Sequence, residues 1–316
     1  MRRVPLAPAL VSLLGPAQAQ APAPVPAPVP ARVPAPAPAL LLESGYGADG
    51  TPTSAWRAAL AGLRGGPVTP SAPRVPTAGE AAWAAAIRAR AAHWPAEVAA
   101  LRAPFEPLAG PAEIRLLVGL GDGEDAFSPE DRTLAFDVAR LAALYGDATL
   151  PENGARLDRF FRHECTHVLQ KAWLATHPYP ARTPLRSALL DLWKEGQGNL
   201  HSLSERWRTP QGELTAEARA ALDRLVPRLV ARLAALAGAS PEAAARLRAG
   251  LSTGPFEAKW GALPVALWLA EAQGREPGAL RAYVTAGPEG IWDLGARHLP
   301  EALRPIWREI QALDGP

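Results

Sequence analysis

Between Leu157 and Gln170 the apolar residues Leu157, Phe160, Phe161, Cys165, Val168 and Leu169 recur at three- and four-residue steps. That is the spacing of one helix face, so the stretch predicts a helix anchored in a core along this stripe. A second run follows the start signal Thr183-Pro184, with Leu185, Ala188, Leu189, Leu192, Trp193, Gly196, Leu200 and Leu203 marking its core face. Upstream, residues 79–103 read as two helical segments with Pro95 opening the second, and His93 and Trp94 at the break; His93 reads as a boundary residue. The texture then changes to two short aliphatic runs, Glu113–Leu120 and Arg132–Val138, which predict strands separated by a glycine- and acid-rich turn. Asp122, Glu124 and Asp125 in that turn lack the ligand pattern of an EF-hand loop and read as solvated. Beyond the second helix, Ala216–Ala237, Pro241–Leu251 and the glycine-bounded segments of 254–286 are helical by period, with Pro227 expected to bend the first. The expected fold class is therefore α+β, mainly α: a small sheet precedes the 157–170 helix, and a helical C-terminal region follows it.

Composition changes this picture mostly at the start of the chain. The first residues, MRRVPLAPALVSLLGPAQAQ, have a basic start, a short apolar stretch and small residues at Ala17 and Ala19, which predicts a signal peptide over 1–19. Residues 20–39 alternate Ala, Pro and Val, a composition that builds no core and predicts an extended linker. The folded domain is expected over 40–316, with helices and a small sheet in 40–145 and helices in 146–316. The expected localisation is exported, periplasmic or secreted. A formal charge of +2 without a basic cluster argues against a nucleic-acid partner. No run of 18 apolar residues is present to span a membrane. The single cysteine, Cys165, excludes an internal disulfide and reads as a buried thiol on the apolar side of its helix.

The chemistry is concentrated on the polar face of the 157–170 helix, where His163, Glu164 and His167 stand in HExxH spacing. At about 100° per residue the two histidines lie one turn apart on one face, where two imidazoles can grip one metal ion. Glu164 falls beside them, placed to take a proton from a metal-bound water. A catalytic zinc usually has three protein ligands, so the chain after His167 has to supply another. Glu195 lies on the flank of the second helix's core face, next to Gly196, which has no side chain to keep the helices apart. Asp191, one turn earlier on the same flank, and His201, on a different side, are alternatives. Asn199 is one turn beyond Glu195 and could hydrogen-bond the outer nitrogen of a ligand histidine. Tyr179, Tyr283 and His298 are the polar residues considered for stabilising an oxyanion.

HECTH at 163–167 followed by KEG at 194–196, with strands upstream, resembles the gluzincin metallopeptidases, and among them the bacterial peptidase MA-like group. The resemblance covers the segment from the strands to the second helix, and the exopeptidase motif GxMEN is absent, which argues against an aminopeptidase. It implies a zincin-like fold, a zinc cofactor held by His163, His167 and Glu195, and Glu164 as general base. The implied activity is hydrolysis of peptide bonds in a peptide or protein substrate. The reading of a different class is a non-catalytic zinc-binding or peptide-binding module that keeps the ligands without turnover.

Overall fold

The computed structural model of the chain describes residues 38–107 and 110–314, so the signal peptide and nearly all of the linker expected over 1–39 lie outside the described residues. The elements in chain order are β1 (Ala39–Ser44), α1 (Ser54–Arg64), α2 (Ala78–Ala91), α3 (Trp94–Arg102), β2 (Glu113–Gly119), β3 (Ala126–Phe127), β4 (Thr133–Asp137), α4 (Val138–Tyr145), α5 (Pro151–Thr176), α6 (Pro184–Ser202), α7 (Ala216–Leu236), α8 (Pro241–Arg248), α9 (Ala262–Arg275), α10 (Ala279–Ala286), α11 (Gly290–His298) and α12 (Arg304–Leu313). The fold is mixed α and β, mainly helical, as expected.

The four strands form one sheet in the order β1-β2-β4-β3, with β1, β2 and β4 parallel and the two-residue β3 antiparallel at the edge. β2 is apolar without a break from Leu116 to Val118, because both faces of the sheet are covered there. Leu117 packs with Trp56, Leu60 and Phe127 on the α1 side, while Ile114, Leu116 and Val118 join the main core on the other. The second strand is shorter than the pattern suggested. Its Val138 already belongs to α4, because the buried Asp137 side chain accepts from the Ala139 and Arg140 amides and starts a helix there. The same carboxylate accepts from Gly121 and Gly123, which fixes the turn leading into β3.

α5 lies against the sheet and is held there by aromatic stacking and ion pairs. Trp94 stacks on Phe161 at 4.2 Å and on Phe136 of β4 at 5.8 Å, while its indole N–H donates to Asp158. Arg90 of α2 also pairs with Asp158, and Arg162 forms a two-pronged bond to Glu97 of α3 at 2.9 and 2.8 Å. Trp94 at the helix break is thus the residue that seats α5. α6 packs between α5 and α9, and α7, α11 and α12 close around that pair. α7 continues through Pro227, which removes one rung of its hydrogen-bond ladder. Among the described residues no helix is long and apolar enough to cross a membrane.

Candidate metal centre

The expected stripe of α5 is buried at Leu157, Phe161, Cys165, Val168 and Leu169, and burial pushes the Cys165 thiol up to about 12, which makes it an inert packing residue. Phe160 departs from the expectation. It is half-buried and lines a cleft of about 400 Å³ together with His163 and Glu164. The core face of α6 is buried from Leu185 to Leu200 as its period implied, with Thr183 capping its start. The helix pair therefore presents the other flank of each helix to the same cleft.

His163, Glu164 and His167 offer ligand atoms that all lie within 4.8 Å of one another. The two imidazole Nε2 atoms are 3.0 Å apart, with rings nearly perpendicular at 83°. Glu195 spans them, one carboxylate oxygen 3.7 Å from His163 Nε2 and the other 3.6 Å from His167 Nε2. Glu164 is set further out, 4.0 Å from His163 Nε2. Asp191, the alternative to Glu195, forms an ion pair with Arg248 of α8, and His201 lines a separate cavity with Glu276 and Arg281. The structure thus brings His163, His167, Glu164 and Glu195 together and leaves the two alternatives outside.

The outer nitrogens decide what the inner ones present. Gln170, fully buried, donates its amide to the Lys194 carbonyl of α6 at 3.0 Å, which turns its oxygen toward His167 Nδ1 at 2.8 Å. His167 Nδ1 then carries a proton, and in the neutral tautomer this selects, the lone pair is on Nε2. His163 Nδ1 lies 3.3 Å from Ser202 Oγ, with the Gly198 carbonyl as a further acceptor. Burial, with His167 beside it, drives His163 well below the ordinary imidazole range, so this ring is neutral and its Nε2 also presents a lone pair. Two lone pairs and a carboxylate facing one point repel one another unless a metal ion, or a proton shared across the 3.0 Å between the nitrogens, lies between them.

That donor set could hold zinc: two neutral imidazoles and a carboxylate are common zinc ligands, whereas calcium and magnesium take oxygen alone. Bonds of 2.0–2.1 Å in a tetrahedron place ligand atoms roughly 3.3 Å apart. The imidazole nitrogens stand 3.0 Å apart, near that value, and the Glu195 carboxylate straddles them with one oxygen 3.7 Å from His163 Nε2 and the other 3.6 Å from His167 Nε2.

Asn199 does not serve a histidine, as the sequence had suggested. Its amide donates to the Glu195 carbonyl one turn back at 2.7 Å, and its oxygen accepts from Lys259 at 3.4 Å. Nor does Gly196 admit α5. A side chain there would meet Val265 of α9 at 2.2 Å, while at Gly198 it would meet the His163 ring at 2.8–3.0 Å. Gly198 is the residue that lets α5 and α6 approach at the site. Tyr179 packs under Arg186, Tyr283 lines a small separate cavity, and His298 pairs with Glu271. None of these three lines the cleft. Four cations do line it, Arg156, Arg159, Arg206 and Lys259; Lys259 is delivered by the turn before α9, and burial lowers its pKa against the opposing pull of Glu195, Asp125 and Glu164.

Glu164 is buried, which raises its pKa, while Ser128 after β3 hydrogen-bonds its carboxylate. Lys171 fastens that segment by donating to the Ser128 and Glu130 carbonyls. Asp125, expected in a solvated turn, accepts from Tyr145 Oη at 2.6 Å and forms part of the cleft wall. Gln170, Ser202 and Ser128 carry no signal as isolated residues in the sequence, and nothing local separates Gly198 from Gly196. No protein-family model, curated protein or solved structure matches the chain.

Proposed function

We propose that this chain is a zinc-dependent peptidase with a gluzincin-like, zincin-like arrangement, exported under the direction of its N-terminal leader. The observation that carries the reading is the convergence of both histidine Nε2 lone pairs and the Glu195 carboxylate, with Glu164 immediately beside them. His163, His167 and Glu195 would hold the ion, oriented by Ser202, Gln170 and the α6 backbone. Bound zinc supplies Lewis acidity toward a water and toward the scissile carbonyl.

The protein groups account for the rest. Glu164 takes the proton of the attacking water and passes it to the leaving amine; its burial raises its pKa, as suits a group that must both accept and donate. Lys259, on the cleft wall and held near Asn199, supplies positive charge as the carbonyl oxygen becomes an oxyanion. The outer edge of β3, with Ala126 lining the cleft beside Glu164, offers backbone groups to an extended peptide. Tyr145, Phe160, Trp207 and Phe256 give aromatic walls for its side chains.

The test compares turnover of a quenched casein-type peptide mixture by the native chain and by Glu164→Gln, with zinc content measured in both. The expected result is equal zinc and a loss of turnover of at least about 10²–10⁴-fold, the contribution of a positioned general base. Wild-type turnover in Glu164→Gln would remove Glu164 as the base. Equal inertness of both zinc-loaded proteins on every substrate would favour the non-catalytic module instead.

A further inference from the structure

α5 carries three arginines, and they are treated differently. Arg162 is spent on Glu97, and Arg156 bonds Asn153 and lies over the Tyr145 ring at 4.2 Å. Arg159, one turn before His163, is half-buried and lines the cleft. Among the described residues its guanidinium makes no hydrogen bond and no ion pair; only its backbone carbonyl is engaged, by Ser202. Burial and the neighbouring Arg156 and Arg162 charges lower its pKa, although a guanidinium remains charged at any working pH.

The adjacent Asp158 pulls the other way but is itself bound by Arg90 and Trp94, and a partly desolvated cation without a paired carboxylate is unfavourable unless something outside the chain supplies one. The cleft's own carboxylates are already engaged: Asp125 accepts from Tyr145 and Glu164 bonds Ser128, while Arg206, another of the lining arginines, pairs with Glu217. Arg156 offers a second guanidinium three residues from Arg159 on the same helix flank, also without a carboxylate partner among the described residues. Two such planar forks beside each other suit the two oxygens of a carboxylate.

We propose that Arg159, assisted by Arg156, determines substrate specificity by binding a carboxylate, so that the cleft selects peptides with an acidic side chain or a free C-terminus near the bond presented to Glu164. This rests on the peptidase reading, yet it can be measured without turnover.

The probes are alanine-rich heptapeptides with one Glu or one Gln scanned through the sequence, each with an amidated or a free C-terminus. Calorimetry with full-length Glu164→Gln protein should show the Glu probe of the right register binding about 10-fold or more tighter than its Gln twin, the range of a charge-assisted bond. Added salt should weaken this preference. Arg159→Gln should abolish it while leaving the Gln probe's affinity unchanged, and Arg159→Lys, which keeps charge without the fork, should retain part of it. A preference for the free C-terminus alone would support the same site and assign the carboxylate to the chain end. In the native chain, Arg159→Gln should raise KM for carboxylate-bearing peptides with kcat little changed. Equal binding of Glu and Gln probes together with equal binding of free and amidated C-termini, discrimination that survives in Arg159→Gln, or no binding by any carboxylate probe would overturn the proposal. Carboxylate-selective binding with no hydrolysis would keep this site and overturn the peptidase reading instead.

Discussion

Among the described residues a histidine is set against a glutamate in two places, and the two settings differ in which atoms face each other. On α11, His298 Nδ1 meets Glu271 of α9 at 3.0 Å, and the ring stacks near Trp268 at 6.1 Å. A donor faces an acceptor there, and the pair is complete. Between α5 and α6 the donors of both imidazoles are turned outward to Gln170 and to Ser202, so that acceptors face acceptors across 3.0–3.7 Å. The difference teaches that histidine next to glutamate is not in itself a metal signal. What distinguishes a site is a surrounding shell that commits each imidazole to the tautomer with its lone pair pointing inward.

The comparison can be broken most severely at Gly198. Its missing side chain leaves room for the His163 ring, and a methyl group would stand 2.8–3.0 Å from that ring. Gly198→Ala should lower stability by about 1–3 kcal/mol, the usual cost of overpacking, and should also weaken zinc binding. Chemical denaturation with and without zinc reads both effects, and a variant indistinguishable from wild type in both would show that the close approach has no consequence. Gln170→Ala comes next. It frees His167 Nδ1 and severs the tie to the Lys194 carbonyl, so zinc affinity should fall by about 10–100-fold, as for other outer-shell partners. The complete pair should behave in the opposite way. Glu271→Gln replaces a charged acceptor of His298 by a neutral one and should cost about 1 kcal/mol of stability with zinc binding unchanged. A loss of zinc in that variant would remove the distinction between the two settings.

Much of this was legible in the sequence because it is local. HExxH spacing places two imidazoles on one helix face regardless of tertiary structure, and the periods of α5 and α6 gave the flank on which Glu195 lies. The two main strands were visible as aliphatic runs, since a sheet covered on both faces requires them. The rest depends on which surfaces meet. β1 begins on the last residue of the Ala- and Pro-rich segment and carries no alternation that marks a strand; it becomes one by pairing with β2 in register from Ala39 opposite Glu113. Gly196 and Gly198 are equivalent in sequence, but one faces α9 and the other α5. Lys259 and Arg159 acquire meaning only because a turn and a helix distant in sequence line one cleft. Asp191 shares the flank of Glu195, one turn before it, and only the tertiary pairing with Arg248 of α8 takes it out of the site.

The central claim is that one zinc ion is held by His163, His167 and Glu195, and metal analysis of the purified full-length chain after exhaustive dialysis tests it most directly. The claim predicts about one zinc per wild-type chain, full occupancy in Asp191→Ala and Glu271→Gln, and a sharp loss in His163→Ala, His167→Ala and Glu195→Ala, because a zinc site loses much of its affinity with any of its three protein ligands. Full zinc in Glu195→Ala would contradict it, as would a wild-type chain that takes up no zinc.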